Sequence, residues 1–158
     1  MSQGFHADPE WWFEEWSVGQ RFKTMTRTPT EFDVMTFVTA NGYFEELWLN
    51  RHKDIDDALG TANLVPGPLT LVMAEGLFVQ TGRMHHAVGF LGLDEVRWTA
   101  PVAIGDGIRA VVEVTTARRS SSAPDRGVVE LSHAVFNHDD TVVMTYRTAR
   151  LIKAQHSL

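Results

Sequence analysis

One stretch limits what this chain can fold into: Leu64-Val65-Pro66-Gly67-Pro68-Leu69-Thr70-Leu71-Val72-Met73-Ala74-Glu75-Gly76-Leu77-Phe78-Val79. Pro68 suits the first turn of a helix, where a missing N–H costs nothing, and Gly67 lets the backbone come close to whatever lies above it. Beyond Pro68 the apolar residues fall on every side, which marks a buried helix rather than a surface one. Such a rod needs cover on all its faces. Its start also presents unpaired N–H donors and partial positive charge. A glycine there leaves no side chain in the way, so Gly67 is a candidate for holding a carbonyl oxygen that gains negative charge. An ordinary core helix with a proline start carries the same signature.

The rest of the chain supplies much of that cover. After Gly82 the periodicity changes, and four long strands are expected at Val88 to Thr99, Ile108 to Arg118, Val128 to Asn137 and Thr141 to Ile152. In the second of these, Ile108, Ala110, Val112 and Val114 alternate with polar residues, so one face is buried. Short turns between the strands favour antiparallel pairing. Upstream, Gln20 to Thr26 has strand composition. Thr30 with Asp33 three residues on reads as a helix N-cap close to a capping box, with Phe32, Met35, Phe37 and Val38 as the apolar side and Asn41-Gly42 as the stop. Tyr43 to Leu49 suits a short helix, Arg51 to Ala58 is polar, and Gly60 to Asn63 is a loop. Trp11, Trp12, Phe13 and Trp16 crowd near the N-terminus beside Glu10, Glu14 and Glu15, which suggests that residues 1–17 dock on the body.

The fold class that follows is α+β: a curved antiparallel sheet wrapped around a central buried helix, in one domain over residues 1–158. A chain of 158 residues has room for such a core. The net charge of −6 argues against bulk nucleic-acid binding but leaves space for a basic patch facing a phosphorylated ligand. With no cysteine, thiol nucleophiles, thiolate metal sites and disulfides are absent. No apolar run reaches membrane-spanning length and the first residues lack a signal peptide's pattern, so a cytoplasmic location without membrane contact is expected. The histidines give no metal pattern; adjacent His85 and His86 do not share a face, and His133 reads as a strand residue that packs or lies at the surface.

At this point the chain resembles the MaoC-like acyl dehydratases and (R)-specific enoyl-CoA hydratases of the hotdog fold. Three stretches carry the resemblance, which runs from about Trp16 onward. Trp16-Ser17-Val18-Gly19-Gln20-Arg21-Phe22 is similar to the family's opening strand. Val65-Pro66-Gly67-Pro68-Leu69-Thr70 is similar to the start of its central helix. Arg97-Trp98-Thr99-Ala100-Pro101-Val102-Ala103-Ile104-Gly105-Asp106 resembles its F-x-x-P-V-x-x-G-D turn.

The resemblance implies a homodimer, or a dimer of dimers, whose sheets join edge to edge. It also implies a tunnel near the subunit interface that takes an acyl-CoA or acyl-carrier thioester, with coenzyme A as part of the substrate and no separate cofactor. In the family, the thioester carbonyl rests on the backbone N–H at the start of the central helix, here Gly67. Tyr43, Pro66 and Thr70 lie within the matched stretches and are substrate-binding candidates.

The catalytic motif departs from the family's S/T-G-D-x-N-P-x-H. The matching stretch is Thr39-Ala40-Asn41-Gly42-Tyr43-Phe44-Glu45-Glu46, so Asn41 stands for the Asp and Glu46 for the His. An amide cannot take a proton at neutral pH, although Asn41 can orient water or a carbonyl. Glu46 can transfer a proton if burial raises its pKa. Alternatively, Asn41 is a helix C-cap and Glu46 a solvated charge. Glu75 is a further carboxylate among Leu71, Val72, Phe78 and Val79, costly to bury unpaired. It is expected to reach water, to form a structural ion pair at the dimer interface or with a partner such as Arg97, or to activate water as in a class of hotdog thioesterases. Arg118, Arg119 and Arg126 flank a loop and either meet the phosphates of coenzyme A or are simply solvated. Three functions stay open: a hydratase or dehydratase using Gly67, Glu46 and Asn41; a thioesterase using Glu75; and a non-catalytic acyl-CoA-binding protein that has lost its acid–base pair.

Overall fold

A computed structural model describes residues 10–50 and 63–155. The elements run β1 (Arg21–Lys23), α1 (Glu31–Asn41), α2 (Glu46–Leu49), α3 (Gly67–Val79), β2 (Ala87–Trp98), β3 (Arg109–Arg119), β4 (Arg126–Phe136) and β5 (Val142–Lys153), with a short 3₁₀ turn at Phe13–Glu15. The strands form one 5-stranded sheet in the order β1-β3-β4-β5-β2, and every pairing is antiparallel.

Alternation along the long strands decides which side of the sheet meets α3. Ala110, Val112 and Val114 of β3, Leu131 and Val135 of β4, and Met144 and Ile152 of β5 are fully buried. Against them lie Leu69, Met73, Ala74, Leu77 and Phe78 of α3. Each large side chain hidden in this way contributes roughly 1.5–3 kcal/mol. The four long strands fall within two residues of where alternation and turn chemistry put them.

Helix α1 has the ends its sequence asks for. The Thr30 hydroxyl accepts from the Asp33 N–H at 3.3 Å, and the Asp33 carboxylate accepts from the Thr30 N–H at 2.8 Å, a complete capping box. The Thr30 hydroxyl, with Arg27 close by, holds the Asp33 carboxyl below its ordinary range. At the other end Gly42 closes the helix in the left-handed conformation at φ 64°. The apolar side is not the expected one. Val34 and Val38 are buried, while Phe32 is exposed and Phe37 only half-buried. Apolar residues at 32, 34, 35, 37 and 38 span more than one face, and the body meets the face that carries the compact valines four residues apart.

The stretch from Gln20 to Thr26 is shorter as a strand than expected. Only Arg21–Lys23 pairs with β3, followed by an isolated bridge between Arg27 and Ile108. The aromatic residues before it pack on the body. Phe13 and Trp16 are buried, and Trp11, Trp16 and Phe22 meet edge to face at 5.3–5.8 Å. A Cβ on Gly127 would run into the Phe13 ring, so that strand position needs glycine. Residues 1–9 of the proposed docked segment, the polar stretch Arg51 to Ala58 and most of the loop before Asn63 lie outside the described residues.

The cover on α3 is partial. Among the described residues one side of the helix stays open. Val72 and Val79 are 60% and 50% exposed, and Leu71, Glu75 and Gly76 between them are half-buried. The sheet has one concave face, so it covers one side of the rod and leaves the other apolar side open.

Candidate active site

The N-terminus of α3 opens on a cleft of about 390 Å³. Its walls come from three directions: Gly67 and Thr70 of α3, Trp98 at the end of β2 and the turn that follows it, and Trp48 of α2 with Leu64. The lining is apolar for most of its area and carries no titratable side chain among the described residues.

Gly67 is the first residue of α3, so its N–H has no acceptor within the helix, and none appears among the described residues. Trp98 packs directly on it. The Trp98 indole N–H donates to the Gly67 carbonyl at 3.1 Å, and a Cβ on Gly67 would lie 2.9 Å from Trp98 Nε1. The close approach is the reason for glycine here. Trp98 engages the carbonyl and leaves the amide to the cleft. Pro66 is buried just before the helix, and the buried Thr70 hydroxyl turns back to the Pro66 carbonyl at 3.4 Å.

The motif residues lie outside the lining of this cleft. Asn41 is the last residue of α1, and its Nδ2 donates to the Phe37 carbonyl at 2.9 Å. Glu46 begins α2, where its Oε1 accepts from Asn50 Nδ2 at 3.2 Å. Both are exposed and neither lines the cleft. Tyr43 packs its ring between Phe37 and Trp48, with centroids 5.7 and 6.4 Å apart, and so touches the cleft wall from behind. The structure therefore groups Gly67 and Thr70 at the cleft, keeps Pro66 buried beside it, and sets Asn41, Tyr43 and Glu46 outside its lining, with Tyr43 touching it through Trp48.

Glu75 lies deeper, where α3 crosses the sheet. Its carboxylate is held by the Arg150 guanidinium on one oxygen and accepts from the Tyr146 hydroxyl at 2.9 Å on the other. His133 adds to the cluster. Its Nδ1 is 3.9 Å from Glu75, its Nε2 is 3.0 Å from the Thr148 hydroxyl, and its ring stacks on Tyr146 at 4.2 Å. The ion-pair partner is therefore Arg150 and not Arg97. Arg97 pairs in register with Thr145, between the inward-facing Met144 and Tyr146, and so belongs to the outer face of the sheet. Burial, helped by Arg150, lowers the His133 imidazole to about 3. Burial and the neighbouring Glu75 charge push the Tyr146 phenol far above its ordinary range, so it stays a donor.

Sequence reasoning passed over Arg150, Tyr146 and His133 as a cluster. A signal was there: in Thr141 to Ile152, strict alternation puts Tyr146, Thr148 and Arg150 on the buried phase of the strand, and an arginine on that phase requires a carboxylate opposite. Two of the three loop arginines are engaged within the chain: Arg119 pairs with Glu14, and Arg126 holds Asp125. Among the described residues no cluster of three or more His, Cys, Asp or Glu could hold a metal ion, and no helix is long and apolar enough to cross a membrane.

No protein-family model matches the sequence, and no curated protein matches it. Solved structures do. The chain is similar to a monoamine oxidase regulatory protein from Archaeoglobus fulgius, with a TM-score of 0.78 and 29% identity over 92% of this chain and 95% of that one. It is similar to a MaoC-like dehydratase from Rhodospirillum rubrum, with a TM-score of 0.75 and 22% identity over 92% and 99% of the two chains. It also matches Rv0216 of Mycobacterium tuberculosis, described as a double hotdog fold, with a TM-score of 0.79 and 21% identity over 93% of this chain but 45% of that one. A curved five-stranded sheet around one long helix, matched to these proteins over nearly its whole length, makes this chain a hotdog-fold protein with the structure of the MaoC-like dehydratases.

Proposed function

We propose that this protein acts on acyl thioesters as a hydratase or dehydratase, adding water across the α,β double bond beside the thioester carbonyl, with the hydroxyl on the β-carbon, or eliminating it to form that bond. The observation that supports this reading is Gly67 in the wall of an apolar cleft at the positive end of α3, its N–H without an acceptor among the described residues. Such a donor strengthens its hold on a carbonyl oxygen as that oxygen takes up negative charge, which lowers the barrier to forming an enolate. Coenzyme A or an acyl carrier would be part of the substrate, and the acyl group would occupy the cleft. We assign proton transfer to Glu46, which adjoins Leu47 of the cleft wall, and orientation of water or substrate to Asn41. Glu75, with both oxygens engaged, is assigned a structural role.

A second reading has a specific observation in its favour. The described lining of the cleft carries no titratable side chain, and the Asn41 amide is bonded to its own helix. A protein that binds an acyl thioester without reacting it would look the same.

One set of assays separates these. With crotonyl-CoA the account predicts loss of enoyl absorbance, abolished in Glu46→Gln while crotonyl-CoA still raises the melting temperature. Binding without hydration across chain lengths selects the second reading. Release of free thiol would return Glu75 to the mechanism as a thioesterase residue. No binding of any acyl-CoA would sink both readings.

We further propose that a second copy of the chain covers the open side of α3. Besides Val72 and Val79 of α3, the edge strand β2 exposes Val88, Phe90, Leu91 and Leu93 and, among the described residues, has no strand on its free side. An exposed apolar helix face and an unpaired apolar strand edge both call for cover by another chain.

A further inference from the structure

The Gly67 cleft has a second cavity behind it. This one, of about 170 Å³, lies between α1 and α2, with Val34, Met35 and Ile104 on its apolar side and Glu31, Asn50 and Asn63 on its polar side. Leu47, Trp48 and Leu64 line both cavities and so stand between them. Trp48 is the largest of the three.

Two further features distinguish Trp48 from an ordinary packed tryptophan. Its indole N–H is hidden from water yet has no hydrogen-bond partner. A buried donor left unmade costs free energy, and buried tryptophans normally satisfy it. The ring is therefore held by packing, against Tyr43 at 6.4 Å between centroids, and not by a hydrogen bond among the described residues. Its carrier is also weakly held: α2 is a single turn of four residues, none of them buried. Elements with little buried apolar area open at low cost.

We propose that Trp48 is the residue that sets acyl-chain length, closing the Gly67 cleft so that it takes short acyl groups, with the second cavity as the space a longer chain would enter if the indole were removed. The proposal rests on reading the cleft as an acyl-thioester site. The thioester carbonyl sits at Gly67, the first few carbons lie along Thr70 and Trp98, and the chain ends against the Trp48 ring. Trp98 cannot play the same part, since its indole is bonded to the Gly67 carbonyl.

The test is direct binding of saturated thioesters, which cannot be hydrated. Acetyl-, butyryl-, hexanoyl-, octanoyl- and decanoyl-CoA are titrated calorimetrically into the intact protein and into Trp48→Ala, with Trp48→Leu as the variant that keeps an apolar group on α2. For the unaltered protein the expected affinity peaks at a short acyl group and falls beyond it. For Trp48→Ala it keeps rising by about fourfold per added methylene until the second cavity is filled, the gain expected for burying one CH₂. Trp48→Leu is expected to shift the peak to longer chains by a smaller step, so the proposal stays testable if the alanine variant unfolds. Identical profiles for all three proteins would overturn the assignment of Trp48, as would an unaltered protein whose affinity climbs without a break to decanoyl-CoA. Failure of every acyl-CoA to bind the unaltered protein would overturn the thioester reading and the gate with it.

Discussion

At the scale of single residues, the cluster under α3 has the strongest energetic consequences. The Glu75 and Arg150 side chains are only 19% and 10% exposed, and removing either would strand the other as an uncompensated charge, at a cost of roughly 3–5 kcal/mol. His133 responds to pH in the same sense as a paired carboxylate and in the opposite sense from a histidine held charged by a partner. The fold holds its pKa down at about 3, first through burial and then through Arg150. The unfolded chain takes up a proton on this residue below about pH 6.5. Between those values the unfolded state binds more protons, so stability rises with pH through the window and is flat above it. The predicted loss on acidification approaches about 1.4 kcal/mol per pH unit inside that window. Denaturant midpoints measured from pH 7 down to pH 4.5 should fall more steeply for the native protein than for His133→Leu. Parallel slopes would remove His133 from the account. The cluster itself was only half legible in the sequence. That Glu75 needs a partner follows from its neighbours on the helix. Which arginine serves follows from strand phase, and phase sets Arg150 inward and Arg97 outward.

At the scale of elements, legibility tracked how local the cause is. The capping box at Thr30 and the glycine stop at Gly42 are decided within a few residues, and both ends of α1 could be read directly. The long strands were legible because turn residues and alternation agree. The buried side of α1 was not, because five apolar residues in seven positions offer several faces and only tertiary packing selects one. The β2 strand shows the same limit. Its register slips at three places along its pairing with β5, and Glu95 sits at φ 52°, so simple alternation does not predict which of its side chains face inward. The start of α3 was readable from Pro66-Gly67-Pro68, but the reason for Gly67 was not. It lies in Trp98, a residue 31 positions away whose ring occupies the space a Cβ would need. The separation of Asn41 and Glu46 from the cleft likewise depends on where α2 settles, which no local signal fixes.

At the scale of the molecule, the open face of α3 explains a conflict within the sequence itself. A helix apolar on all sides is written for a fully covered environment, yet one sheet covers one side. Rv0216, which this chain matches over 45% of its length, is described as a double hotdog, so two such units in one protein have a precedent. If a second copy covers α3 here, Val72→Arg should place a charge in the interface and shift the mass in solution toward the monomer, with the melting temperature of the monomer little changed, because Val72 is exposed within one chain. An unchanged oligomer, seen by light scattering at micromolar concentration, would place the interface elsewhere.

The account as a whole turns on whether a thioester oxygen meets the first amide of α3. The most direct measurement is the Gly67 amide resonance in uniformly nitrogen-15-labelled protein during titration with crotonyl-CoA and with coenzyme A alone. The predicted result is a saturating downfield proton shift at Gly67 with crotonyl-CoA and none with coenzyme A alone. A Gly67 resonance that stays in place while other residues report saturable binding would show that the thioester sits elsewhere, and would contradict the central claim.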